Sequence, residues 1–451
     1  MLLRLSEIAA ASGGTLVGED GVVDGVTIDS RALEPGSLFV PIVAARDGHD
    51  FIAAARERGA VAHLTARPGG PEPHVVVADT TDALQQIALA ARRDRDPAVV
   101  GITGSVGKTT TKDLLHAALA PCRRVHASTR SFNNELGVPL TLLNAPDDAE
   151  VVVTEMGARG IGHIALLCSI AEPSVGVVLA VGAAHTELLG DLEGVARAKG
   201  EMVEGLAPSG HAVLNADDPR VAAMAARTAA TVVTYGSTGD VRARDLSVDD
   251  GLCPRFVVDS PWGSAPVRLA SAGVHSVGNA LAAISAAMIV GGDLDAVAGG
   301  LGEAEVSPWR MEVGRSAAGG TVVNDAYNAN PMSVHAAIDA LLALPATRRV
   351  AVLGIMAELG DCHLSEHRRV GERLRAENIE LIAVGTADYG GSVADDVEAA
   401  MELLDPSTLG EGTAVLVKGS RVAGLEVLAA RLIGDAGHER PTPRPDRPEL
   451  G

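Results

Sequence analysis

At 451 residues the chain is too long for one hydrophobic core and is expected to form two to four domains. It is 47% hydrophobic and 21% charged, as globular proteins are, but only 2% aromatic, so its cores must be built from Ala, Val, Leu and Ile. A net charge of −21 with no dense Lys/Arg cluster argues against a nucleic-acid partner, because duplex binders show a basic patch or stripe. The four cysteines, Cys122, Cys168, Cys253 and Cys362, lie far apart without a CxxC, which supports neither a disulfide framework nor a zinc site. No apolar run reaches the ~18 residues of a membrane span. The first residues lack a basic region followed by a long apolar stretch, so no signal peptide is expected and a reducing cytoplasm is the simplest compartment.

In chain order, residues 1–95 read as a small α/β unit. Leu5, Ile8 and Ala9 have helical spacing with Ser6 as a candidate cap. Residues 37–42 and 74–78 read as strands, 53–59 as a helix ending in glycine, and the charged stretch 92–97 as a linker. From Ala98 short aliphatic runs alternate with helical stretches. Residues 99–103, 151–155, 175–179 and 212–215 are candidate buried strands of a parallel sheet covered on both faces. Residues 241–270 read as an antiparallel extension, followed by a helix near 278–289. Ser307-Pro308 marks a second boundary, beyond which 321–325, 350–354, 381–384 and 414–417 are strand-like. This last part resembles a doubly wound, Rossmann-like unit without the GxGxxG fingerprint. The expected fold is α/β in three domains: a small N-terminal α/β domain (1–95), a central parallel sheet like those of P-loop ATPases (96–307) and a Rossmann-like C-terminal domain (308–436). The tail 437–451, rich in Pro, Arg, Asp and Glu, is expected to be disordered.

The strand at 99–103 runs into Gly104-Ser105-Val106-Gly107-Lys108-Thr109-Thr110-Thr111, where a helix is expected to begin. Glycines let backbone amides wrap phosphate oxygens, and the helix N-terminus adds partial positive charge. Lys108 would reach the β- and γ-phosphates and the Thr109 hydroxyl would ligate Mg²⁺. The strict G-x-x-x-x-G-K-[ST] pattern is not met, since Ile102 stands where glycine is required. Glu155 ends a candidate strand, so its carboxylate falls where parallel sheets gather ligands and can hold Mg²⁺ against the phosphates. Read by themselves, His185 in a loop is more often a structural or solvated histidine and Lys199 a solvated helix lysine, and composition and spacing lift neither further.

Taken together, GITGSVGKTTTK, SFNNELGVPLTLL, TEMGARG, VGAAHTE, ARAKGEM, NADDP, NALAAISAA, RMEV, NDAYNANP, AELGD and VLVKGSR resemble the Mur ligases of peptidoglycan synthesis. The N-terminal stretches Asp29-Ser30-Arg31, 35–40 and 47–51 fit the same family, so the resemblance spans about residues 25–430. It implies an ATP-driven amide synthesis in which a peptide carboxylate becomes an acyl phosphate and an amine displaces the phosphate. NDAYNANP and AELGD favour D-alanyl-D-alanine as the incoming amine and a UDP-N-acetylmuramoyl-tripeptide as the acid. A sister ligase using another amino acid, and a nucleotide-binding regulatory subunit without ligase activity, are the alternatives.

By resemblance, Thr109 and Glu155 fall at a first metal site and His185 at a second. Lys199 matches a carbamylated lysine, whose anion would bind or orient Mg²⁺. Asn279 lies near the adenine with His275 one turn earlier, and Arg310 and Asp325 match contacts to γ-phosphate and ribose. Asn133 and Asn134 border metals and substrate, while Tyr327, Asn328 and Asn330 face the nucleotide. Ser30, Arg31, Asp47, Gly48 and His49 would border the uridine diphosphate. Lys108, Glu155, His185, Lys199 and Arg310 form the implied catalytic set. The chain departs from the family pattern at Ala180, Ile355, His163 and Leu425. Nothing in the sequence demands more than a monomer.

Overall fold

The computed structural model describes residues 2–128, 132–183 and 186–434. His185 and the stretch 437–451 lie outside the described residues.

The N-terminal part pairs Leu2–Arg4 with Val22–Asp24 in a two-stranded antiparallel sheet. Beside it stands a five-stranded sheet in the order Thr15–Val17, His74–Val76, Ala62–Thr65, Leu38–Phe39 and Val26–Thr27. The strands expected over 37–42 and 74–78 are real but shorter. Ser6 is not a cap: the helix Leu5–Ser12 begins before it. The Ser6 N–H and hydroxyl instead donate to the Asp20 carboxylate at 3.0 Å each, which places an anion beside the helix N-terminus. The expected linker 92–97 is the last turn of a helix, Thr80–Arg95, capped by Asp79. Its charges are staples: Arg92 donates to the carbonyls of Ala171 and Glu172, and Arg95 pairs with Asp147. Asn144, at the end of the helix Gly137–Leu143, reaches Val26 on the sheet's outer strand. Its amide oxygen accepts from the Val26 N–H at 3.0 Å and its NH₂ donates to the Val26 carbonyl at 2.9 Å.

The central sheet has six parallel strands in the order Thr231–Tyr235, His211–Asn215, Val175–Val178, Ala98–Thr103, Val151–Glu155 and Val125–Ala127. The two outermost strands were not expected from the sequence. Strands Arg242–Val248, Pro254–Ser260 and Gly263–Arg268 form the antiparallel extension as expected. The helix Ser276–Ile289 packs on Lys108–Leu119. The C-terminal sheet runs Glu312–Arg315, Thr321–Asn324, Thr413–Lys418, Arg348–Leu353, Glu380–Val384 and Ser392–Ala394, parallel except for its first strand.

One hydrophobic cluster joins the N-terminal sheet to one face of the central sheet through Leu64, Leu84, Val152 and Leu214. A second fills the other face with Ile102, Leu115, Val177 and Ile284. Two more cover the faces of the C-terminal sheet. Aliphatic residues dominate all four, as the scarcity of aromatics required. Among the described residues no helix is long and apolar enough to cross a membrane.

Candidate active site

The strand Ala98–Thr103 lies between two parallel neighbours, so its carboxyl end opens at the middle of the sheet, where ligands bind parallel folds. The loop that follows turns into the helix Lys108–Leu119 at Gly107, whose φ of +85° favours glycine. A Cβ at Gly107 would also collide with the Asn279 amide, so the residue expected at the adenine already borders the loop. The Ser105 N–H donates to the Ala180 carbonyl at 2.9 Å, and its hydroxyl exchanges hydrogen bonds with Gly182. Val106 and Gly107 complete the loop, and Thr110 lies in the first turn of the helix. Lys108 folds back to donate to the Gly104 carbonyl at 2.7 Å. Desolvation pushes its pKa down, against the pull of Glu155.

Glu155 is fully buried at the end of its strand. Its Oε2 accepts from the Thr109 hydroxyl at 3.2 Å, while Oε1 is buried without a partner. Burial raises the carboxyl pKa, and Lys108, Lys112 and Arg310 oppose that rise. Arg310 comes from the far side of the second boundary and donates to the Thr109 hydroxyl at 2.8 Å. Its guanidinium lies 4.1 Å from the centre of the Tyr327 ring, a cation–π contact. The flanking residues Trp309 and Met311 both have positive φ, +61° and +53°, so this turn is strained. The Met311 N–H donates to Asp325 at 3.2 Å.

The donor set suits Mg²⁺. A hydroxyl and a carboxylate are hard oxygen ligands, and Glu155 Oε1 is left with an unused lone pair in a buried site. Among the described residues no group of three His, Cys, Asp or Glu side chains could hold a metal alone. Lys199 is buried on the helix Leu192–Glu204, where desolvation first, and Lys108 second, hold its pKa well below the usual lysine value.

The C-terminal sheet faces the same place. Asn330 caps the helix Pro331–Ala343 through the Ser333 N–H, and its NH₂ donates to the Ser105 carbonyl at 3.4 Å. Asp325 is ion-paired with Lys418, which also donates to the Asn328 carbonyl at 2.8 Å. His275 lies within electrostatic range of both Asp325 and Lys418. Thr186, next to His185, donates to the Leu359 carbonyl at 3.0 Å and so docks the AELGD turn on the central part. The Asn133 carbonyl accepts from the Gly157 N–H, and the Asn134 side chain accepts from the Gly137 N–H.

The N-terminal residues form a separate group held among themselves. Arg31 chelates Asp29, and the Ser30 carbonyl accepts from Arg58. His49 is buried with both ring nitrogens engaged, Nδ1 to Asp47 at 2.6 Å and Nε2 accepting from the Ala66 N–H at 3.0 Å. These two bonds let the ring shape the turn at Gly48.

Lys418, Lys112 and Asp113 were not singled out in the sequence. The available signals were a lysine closing the strand TAVLVK and the place of Lys112 and Lys418 in the stretches GITGSVGKTTTK and VLVKGSR. Of the departures, Ala180 uses only its backbone, Leu425 packs on Gly354 and Gly419, and His163 accepts from the Arg159 N–H at 3.3 Å. Ile355 lines a cavity of about 450 Å³ with Val384, Asp396 and Val422.

Residues 22–95 match the Mur ligase family, catalytic domain, 102–287 the Mur ligase middle domain, and 309–421 the Mur ligase, glutamate ligase domain. The chain is 41% identical to the UDP-N-acetylmuramoyl-tripeptide--D-alanyl-D-alanine ligase of Mycobacterium tuberculosis (strain ATCC 25618 / H37Rv), over 97% of this chain and 99% of that protein. It is 35% identical to the ligase of the same name from Escherichia coli (strain K12), over 95% and 98%. Crystal structure I of MurF from Acinetobacter baumannii matches at TM-score 0.89 and 30% identity, covering 96% of this chain and 99% of that one. The MurF ligase of Thermotoga maritima in complex with ADP matches at TM-score 0.82 and 29% identity, over 92% and 97%. The chain belongs to the Mur ligase family.

Proposed function

We propose that the protein joins D-alanyl-D-alanine to UDP-N-acetylmuramoyl-tripeptide with ATP, giving the UDP-linked pentapeptide, ADP and phosphate. The observation that carries this reading is the convergence of Lys108, Thr109, Glu155 and Arg310, drawn from both sides of the second boundary, on one phosphate-binding loop. The likeness to ligases of that name over nearly the whole chain supports the choice of substrates. Residues 1–95 take the UDP-sugar, 96–307 the nucleotide, and 308–436 the dipeptide. The enzyme acts as a monomer in the cytoplasm, without a nucleic-acid partner.

The tripeptide carboxylate and the triphosphate are both anions and repel one another. Lys108 and Arg310 supply the positive charge that lets them meet and that stabilises the transferring phosphoryl group. Thr109 and Glu155 would hold Mg²⁺, which when bound neutralises phosphate charge. A carboxylate oxygen attacks the γ-phosphorus as the bond to ADP breaks. The dipeptide amine then attacks the acyl carbon, loses a proton, and phosphate departs. Holding the amine beside the acyl phosphate provides the entropic part of the rate. By resemblance His185 and Lys199 serve a second ion. The low pKa of Lys199 supports carbamylation, because the neutral amine is the form that adds CO₂. Lys199→Ala should lose activity and regain part of it with added short carboxylic acids; full activity without them would sink that role. The overall reading predicts phosphate release only with both the UDP-tripeptide and D-Ala-D-Ala present, with the pentapeptide product seen by mass. Release without either co-substrate would refute it.

A further inference from the structure

Arg310 sits in a strained turn, and a strained turn needs anchors on both sides. Downstream, the Met311 N–H is held by Asp325. Upstream, the Ser307 N–H donates to Asp113 Oδ2 at 2.8 Å, a bond between residues 194 positions apart in sequence. Asp113 lies on the phosphate-loop helix, one turn beyond Thr109, the residue that Arg310 touches. Its other oxygen, Oδ1, faces the Lys112 ammonium at 2.9 Å, and both side chains are at least nine-tenths buried. Lys112 in turn donates to the Ser128 carbonyl at 2.8 Å, beyond the strand Val125–Ala127. One buried ion pair thus ties the phosphate-loop helix to the crossover segment that delivers the arginine.

We infer that Asp113, oriented by Lys112, is a positioning residue that fixes Arg310 on the phosphate loop for phosphoryl transfer. It touches no reacting atom, and its effect passes through Arg310. This rests on the role assigned to Arg310 above. A nucleotide can bind to Lys108 and Thr109 whether or not the turn is anchored, so loss of the anchor lowers kcat far more than it raises the KM for ATP.

The test is a double-mutant cycle on the full-length enzyme, with ATP, UDP-tripeptide and D-Ala-D-Ala as substrates. Asp113→Ala should lower kcat about tenfold or more while the KM for ATP stays within about threefold. Asp113→Asn, which keeps an acceptor for the Ser307 N–H, should recover most of the rate. Combined with Arg310→Met, Asp113→Ala should slow the enzyme by no more than about a further twofold, because both changes remove the same contribution. Ser307→Pro deletes the donor and spares the ion pair, and it takes the place of Asp113→Ala in the cycle if that variant no longer binds nucleotide. Multiplying effects in the double variant, or an unchanged kcat on breaking the anchor, would overturn the inference. A wild-type rate for Arg310→Met alone would instead overturn the role of Arg310.

Discussion

Lys418 closes an inner strand of the C-terminal sheet, Lys108 opens the helix that follows an inner strand of the central sheet, and their surroundings differ. Lys418 is spent: its ammonium is paired with Asp325 and bonded to the Asn328 carbonyl. Lys108 donates to one loop carbonyl, and beside it Glu155 Oε1 and Arg310 Nε are buried without partners. Native proteins satisfy nearly all buried polar atoms. A cluster with leftover hydrogen-bonding capacity therefore marks where a ligand completes the structure, and a saturated cation marks scaffold.

The sharpest way to break this contrast is Lys108→Ala. It should cut kcat/KM by about 10³-fold or more, roughly 4 kcal/mol, with the melting temperature nearly unchanged. A loss under tenfold would remove the distinction. Lys418→Met should do the reverse and destabilise the fold by about 3 kcal/mol, since it strands a largely buried carboxylate. Its denaturation midpoint measures this, and replacing Asp325 as well by Leu should restore part of the loss.

His63 tests that rule, because its leftover atoms lie in the N-terminal domain, away from the phosphate loop. Its ring is fully buried, both nitrogens lack partners, and burial with the stacked His74 pushes its pKa down to about 4. The folded form resists a proton that the unfolded chain accepts near 6.5. Stability from this residue is therefore complete above pH 6.5 and declines as pH falls towards 4. His63→Leu should flatten that acid slope in equilibrium unfolding and leave catalysis intact; lost catalysis would show that His63 belongs to a site. The smallest effect is expected for Arg93→Ala, which breaks an exposed pair with Glu172 and should change stability by less than about 1 kcal/mol.

The inner strands and the phosphate loop were legible because buried parallel strands are unbroken aliphatic runs and because Gly-Lys-Thr follows one of them. The outer strand Val125–Ala127 was not, since its three residues are only half-buried and carry a histidine. The stretch 92–97 was misread because the basic last turn of a helix and a polar linker share a composition, and only the carbonyls of residues 171 and 172 distinguish them. Within the site, Lys108, Thr109 and Glu155 announced themselves by position after strands. That Arg310 meets Thr109 across 201 residues could be inferred only by likeness, and although Lys112 ends the stretch GITGSVGKTTTK, nothing local marks its pairing with Asp113 or the bond from Asp113 to Ser307.

Val26–Thr27 is the edge strand of the five-stranded N-terminal sheet, and the outward peptide group of such an edge is where another chain could add a strand. The Asn144 amide occupies that group from both sides, imitating one residue of a neighbouring strand. These two bonds, which join the hydrophobic cluster and the Arg92 and Arg95 contacts in fastening the first domain to the second, also keep another strand off this edge. A sheet edge closed by a side chain of the next domain is thus protected only while the two domains stay docked.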